Sequence, residues 1–459
     1  MIGLVAGFAL PVSAAWLWLR AWPLRGSPDF APLTAALAFG VGVGLSSLTP
    51  MWWVARGLSL GPAFVAADAL LWVSLAAVAL RRLFRTSVPG DLASPLDAPQ
   101  TVLRVVRGAF ALVAVMAVGI VAREYLAAPH GQWDAWAIWN QKARFLLRGG
   151  EEWTALLGVE FANPSHPLLL PAVVARLWAY AGEELTIAPA LAAGGFGAAT
   201  VAAVMGRLDV RQPRAWLAGA VLLAPPMYAQ QIISQQADVP VGFFMVATLA
   251  LIPEDPLALW RHALRAARTL LLVGLLAGCA AWTKNEGMVF LVAMALLASW
   301  ATLRHGRGRQ LLWCAVGAAP VLLTLLWFKL VVSPGAPLYL EGTPGPVGLL
   351  QWMFDLERHR TVLRLMWAPL LQWGGPLARG VVPVGIVAAV VVLCVPAARR
   401  ARTSSLAVLF MLASYHLVFV LSSLEPETLV PGTVPRLVSQ LWPALVLAVF
   451  SGVRDPREG

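Results

Sequence analysis

Apolar blocks broken by short polar punctuation run through almost the whole chain. They recur at about 17 to 23 residues, the length at which an α-helix crosses a bilayer. Candidate spans fall at about 2–19, 31–53, 60–80, 104–122, 187–206, 215–232, 239–252, 269–283, 287–303, 310–331, 381–397, 404–423 and 435–451. The pattern predicts an all-α polytopic membrane protein of about 13 transmembrane helices. A long break follows the fourth span, and it reads as the first large outer loop, with juxtamembrane helices. Within it "HPLLLPAVVARLWAY" (166–180) is short, contains Pro171 and Arg176, and runs into Glu183 and Glu184.

Charge then sets the sides. Only 12% of the residues are charged and 59% are apolar, against roughly 25% charged in a soluble domain. The net charge of +11 would suit nucleic acid if it formed a patch, but the Arg residues lie in short loops between apolar blocks. That is the distribution that orients membrane helices, so nucleic-acid binding is excluded and contact with anionic lipid heads is expected. Arg81, Arg82, Arg85, Arg104 and Arg107 place the loop 81–107 in the cytoplasm. If 166–180 does not cross, Arg207, Arg211 and Arg214 also land inside. So do the groups Arg261/Arg265/Arg268, Arg304/Arg307/Arg309 and Arg399/Arg400/Arg402. The acidic loop 333–360 and Glu425/Glu427 then land outside. If it crosses, every assignment inverts. The charge rule therefore predicts a juxtamembrane or re-entrant segment.

The same parity puts "GQWDAWAIWN" (131–140), "NPSHP" (163–167), "QQIISQQADVP" (230–240) and "TKNEG" (283–287) on one outer side. The N-terminal stretch reads as a retained helix rather than a cleaved signal. Cys279, Cys314 and Cys394 lie inside apolar blocks without metal-ligand spacing. Of the 34 Lys plus Arg only three are Lys: Lys142, Lys284 and Lys329.

Each constellation admits two readings. Asp134 is either a general base at the membrane surface or a solvated residue in a Trp-anchored interfacial helix. His166, before Pro167, either orients a phosphate or metal or simply marks a helix start. Asp238, Lys284 and Glu286 interrupt apolar runs, where charges are expensive and usually paired. They read as a functional site, or as Lys284–Glu286 or Lys284–Asp238 ion pairs joining broken helices. Arg436 opens the last span and suits a lipid phosphate or an interfacial anchor. Asp68 is expected to pair with a neighbouring helix, and His416 with Tyr415 to be a packing pair.

Taken in order, an outer-loop acidic residue after a span, "HP" opening a short helix, an Asp-Val-Pro turn and "TKNEG" resemble the C-type glycosyltransferases. The likeness is nearest to the dolichyl-phosphate-mannose protein mannosyltransferase and aminoarabinose transferase-like group. It covers roughly 104–300, and "PRLVSQLWPALVLA" in the last span looks like that group's Arg-containing signature. The chain carries one Asp where the group often has two acidic residues, and His-Pro-Leu for His-Pro-Pro.

The resemblance implies a single integral-membrane domain. It would comprise N-terminal spans and a cytoplasmic loop (1–103), a catalytic core (104–300), and C-terminal spans with an outer loop at 333–380. It implies a transferase of the bacterial inner (plasma) membrane facing outward, which moves a hexosyl or pentosyl group from a polyprenyl-phosphate donor to a lipid, glycan or protein acceptor. Asp134 would be the general base of an inverting single displacement. Lys284, Arg436 and Arg144 would steady the phosphate, with His166, Asp238 and Glu286 lining the site and Trp133 and Trp136 stacking on the sugar. A divalent metal on His166 and Asp238 is compatible with this scheme and not demanded by it. The competing classes are a transporter or flippase using Asp238, Lys284 and Glu286, and an inactive membrane scaffold.

Overall fold

The computed structural model describes residues 1–21, 31–85, 100–157, 163–252, 263–304, 306–333, 345–394 and 402–452. The expectations for Arg261, Arg399 and Arg400, and much of those for the loops 81–103 and 333–360, lie outside them. All regular structure in the described residues is helical.

Nine of these helices are long and apolar enough to cross a membrane, or ten if one bent pair counts as a span. The expected thirteen shrink because four stretches are short or broken. The stretch expected at 215–232 divides into Pro213–Leu223 and Pro226–Ile233. Asp238–Leu251 has only 14 residues, and over the described residues the apolar stretches Val381–Cys394 and Asn285–Trp300 stay shorter than a full span. Pro225 explains the first break, since a residue without an N–H cannot continue a helix but can enter the next one. Pro226–Ile233 and Asp238–Leu251 meet at 106°. The segment that the charge rule kept from crossing forms Leu169–Ala181, 13 residues long, well short of the roughly 20 that span a bilayer.

Asp238–Leu251 is the hub. Every one of its residues is buried, as expected of a helix that is apolar all round. It packs against Ile187–Arg207, Ala263–Thr283 and the last helix, Pro426–Gly452. Gly242 makes the last contact possible: a Cβ there would press on the backbone of Gln440. That close approach sets Gln440 beside Asp238 one turn earlier.

Lys284 alone separates Ala263–Thr283 from Asn285–Arg304, and these two helices pack on each other. Gly287 is required at this reversal, because any Cβ would collide with the Ala280 carbonyl.

A second buried lock ties the N-terminal helices to Leu169–Ala181. Asp68 accepts hydrogen bonds from Arg176 Nε (3.0 Å), Tyr180 Oη (2.7 Å) and Thr49 Oγ1 (2.6 Å). Arg176 also donates to the Gly7 carbonyl. Asp68 thus finds its partner on a neighbouring helix, as expected, and the partner is the Arg176 that had argued against a crossing.

Candidate functional site

Four separate stretches converge on one charged centre because the backbone pins them together. Gln132 N donates to the Ser234 carbonyl (3.2 Å), and Gln235 Nε2 donates to that of Pro129 (3.0 Å). Asn140 Nδ2 donates to Gln235 Oε1 (2.9 Å). The Asp134 loop is thereby fastened to the bend that precedes Asp238. Asp134 begins a π-helical turn, Ala135–Trp139, a distortion often found at functional sites.

Asp238 is fully buried and its two oxygens are saturated. Oδ2 accepts from Arg436 Nε and Nη2 (both 3.1 Å). Oδ1 accepts from Lys284 Nζ (2.9 Å) and Gln440 Nε2 (2.6 Å). Tyr415 Oη donates to Gln440 Oε1 (2.8 Å), which fixes the amide's orientation. Lys284 also meets Glu286 (2.8 Å). Arg436 reaches outward to Asp134, Nη1 to Oδ2 at 2.6 Å. The chain Asp134–Arg436–Asp238–Lys284–Glu286 therefore runs from a partly exposed carboxylate to a buried one and back.

His166 stands next to this chain. Its ring stacks on buried Trp139 at 5.4 Å, and its Nδ1 lies 3.4 Å from Asn285 Nδ2. Its loop is held rigid through four successive carbonyls. Lys142 Nζ donates to those of Asn163 (2.8 Å) and His166 (3.0 Å), Ser333 Oγ to that of Pro164 (2.9 Å), and Lys329 to that of Ser165. Lys329 Nζ also donates to Asn285 Oδ1 (3.1 Å). All three lysines of the chain are thus gathered at one place.

Burial, followed by the nearby charges of Lys142, Lys284, Lys329 and Arg436, holds the His166 imidazole well below its ordinary proton affinity. It is neutral at physiological pH. Burial and then Lys329 pull the Lys142 ammonium down to about 7.

Comparison with protein-family models, curated proteins and solved structures found no match.

Of the residues singled out in the sequence, Asp134, Asp238, Lys284, Glu286 and Arg436 form the ion-pair chain, and His166 joins it through Asn285 and the lysines. Both suggested pairs of Lys284 form. Arg144 does not join: it pairs with Glu184 (3.1 Å) and lies over the Trp178 ring. Trp133 and Trp136 are about half exposed and meet each other edge-on at 5.8 Å. The tryptophan that stacks within the site is Trp139. His416 contacts His359, Nε2 to Nδ1 at 2.8 Å, rather than only its neighbour Tyr415.

A metal does not fit on His166 and Asp238. Asp238 has no oxygen free of Arg436, Lys284 and Gln440, His166 is surrounded by cations, and no group of three metal-ligating side chains occurs among the described residues.

Lys142, Lys329, Asn285 and Gln440 were missed in the sequence. The rarity of Lys was the available signal for the first two. Asn285 shares with Lys284 and Glu286 the polar break in an apolar run, and Gln440 carries no signal beyond its proximity to Arg436.

Proposed function

We propose that this chain is a membrane glycosyltransferase that moves a sugar from a polyprenyl-phosphate donor to an acceptor hydroxyl on the non-cytoplasmic face. The observation that supports it best is the Asp134–Arg436–Asp238–Lys284 chain, which ties a carboxylate at the rim to a centre where the Arg436 guanidinium and the Lys284 ammonium are held in place by buried Asp238. Such a centre stabilises negative charge as it develops on a leaving phosphate.

The acceptor oxygen attacks the anomeric carbon, the bond from that carbon to the phosphate oxygen breaks, and the phosphate leaves with the electron pair. Asp134 takes the acceptor's proton. At rest Arg436 occupies Asp134; a donor phosphate drawn into the cluster competes for the guanidinium and frees Oδ2 for that proton. Buried Asp238 keeps Arg436 in place during the exchange. One base without a nucleophile partner corresponds to a single displacement with inversion.

The test is transfer by the purified protein, reconstituted with polyprenyl-phosphate sugars and membrane-derived acceptors. Asp134→Asn should fold normally and lose about 100-fold or more of the rate, the usual contribution of a general base. Full transfer by that variant overturns the assignment.

A second reading, a transporter of a lipid-linked or polar solute, is favoured by one observation. The charges converge where helices break, at the 106° bend before Asp238 and at Lys284, an arrangement that transporters use at their binding sites. Uptake into liposomes without sugar transfer would select it.

A further inference from the structure

Lys142 and Lys329 donate hydrogen bonds only to neutral oxygens, and Lys329 also lies over the Phe328 ring at 6.0 Å. The carboxylates of the site are taken by Lys284 and Arg436, and among the described residues neither Lys142 nor Lys329 has an acidic partner. Carbonyls satisfy an ammonium's donors but leave its charge uncompensated, which is costly away from water. Each ammonium has three N–H groups and spends two on the bonds described above.

His166 completes the picture through its tautomer. An ammonium can only donate, so the Asn285 atom facing Lys329 is the oxygen. The Asn285 atom facing His166 is then the NH2, which also only donates. Nδ1 must therefore carry the lone pair, and the ring proton sits on Nε2. No hydrogen bond from that Nε2–H occurs among the described residues. The ring itself is 6% exposed, and Trp139 and the clamped loop hold its direction.

We infer that Lys329 and Asn285 set the tautomer of His166, so that a neutral Nε2–H donor and the Lys142 and Lys329 ammoniums together bind a phosphoryl oxygen. Asn285 is a positioning residue, and His166 and the two lysines are the binding groups. Three donors of different charge suit a phosphate, whose oxygens accept several hydrogen bonds at once. The tautomer stands on the Lys329–Asn285–His166 contacts, and the phosphate subsite on the two ammoniums that hold the His166 loop without an acidic partner among the described residues. That the phosphate belongs to a lipid-linked donor rests on the transferase reading.

The experiment is 15N NMR of histidine-labelled protein in nanodiscs, with His166 signals assigned by His166→Gln, titrated in parallel with inorganic phosphate and with polyprenyl phosphate. The expected result is a neutral, Nε2-protonated ring whose Nε2 signal moves on addition of phosphate. A response to the lipid alone identifies the headgroup as the source; a response to both shows that the phosphate group suffices.

Asn285→Asp presents an acceptor in place of the donor, so it should move the proton to Nδ1 and weaken binding at least tenfold. Should that variant fail to fold, Lys329→Met tests the same link by releasing the amide, and should give a mixed tautomer with a similar loss. Lys329→Arg should restore both. An Nδ1-protonated ring in the native protein, no Nε2 response to either probe, or unchanged binding in the folded variant overturns the inference. Phosphate binding without sugar transfer would leave it standing and remove only the transferase reading.

Discussion

Arg436 Nη1 lies 2.6 Å from Asp134 Oδ2, while the other edge of the same guanidinium holds Asp238. One cation thus serves a carboxylate at the rim and one in the core. The rim carboxylate can exchange Arg436 for another partner, whereas Asp238 has no other way to balance its neighbours.

Arg436→Lys should therefore separate the two contacts. A point charge cannot span both carboxylates as the planar fork does. The folded protein should survive, with sugar transfer reduced more than donor binding, as measured by kcat and KM in the reconstituted assay.

Asp238→Asn should be far more disruptive than Asp134→Asn. It removes the buried carboxylate that both Arg436 and Lys284 share and leaves each only its half-buried partner, Asp134 or Glu286, and breaking a buried ion pair costs about 3 to 5 kcal/mol. Thermal unfolding in detergent should show a large drop for Asp238→Asn and little change for Asp134→Asn.

Protonation of Lys142 should be linked to stability and to phosphate binding. Its folded-state affinity is lowered from 10.5 to about 7, so between those values the unfolded chain holds more protons. This group's contribution makes the fold more stable as pH rises through that window and least stable below pH 7. The charges facing it are Lys329 and, around His166, Lys284 and Arg436. A bound phosphate favours the charged form, so binding at pH 8 should take up as much as about one proton. Calorimetry in buffers of different ionisation enthalpy measures this, and Lys142→Met should abolish it.

The Asp68–Arg176 lock should act on the fold alone. Arg176→Met leaves a buried carboxylate and should destabilise by about 3 to 5 kcal/mol, whereas Asp68→Leu with Arg176→Met should recover much of the loss. Thermal melts of both variants beside the native protein check the sign.

Gly287→Ala should prevent the tight reversal at Lys284, because its methyl meets backbone rather than a side chain that can move. Loss of the folded protein on size-exclusion chromatography is expected. Gly108→Ala, where nothing lies within reach of an added Cβ, is the control.

The all-helical, multi-span architecture was legible because bilayer length and apolar composition are properties of local sequence. The residues with chemistry were legible for a related reason. A charge inside an apolar run is expensive wherever it ends up, so Asp134, Asp238, Lys284 and Glu286 stand out before any fold is known. The span count was less legible, because Pro225 breaks the block 215–232, which reads as continuous.

What only the tertiary structure decided is who meets whom. Arg144 and Arg436 look alike in the sequence, yet one is drawn to Glu184 and the other to Asp134 and Asp238. Trp133, Trp136 and Trp139 share one short motif, yet only Trp139 turns inward, to stack on His166. Lys142 and Lys329 lie far apart along the chain and converge on three carbonyls of one loop. Burial cost is a property of each residue and is written in the sequence; pairing depends on where the helices cross, and close approaches such as that at Gly242 set those crossings.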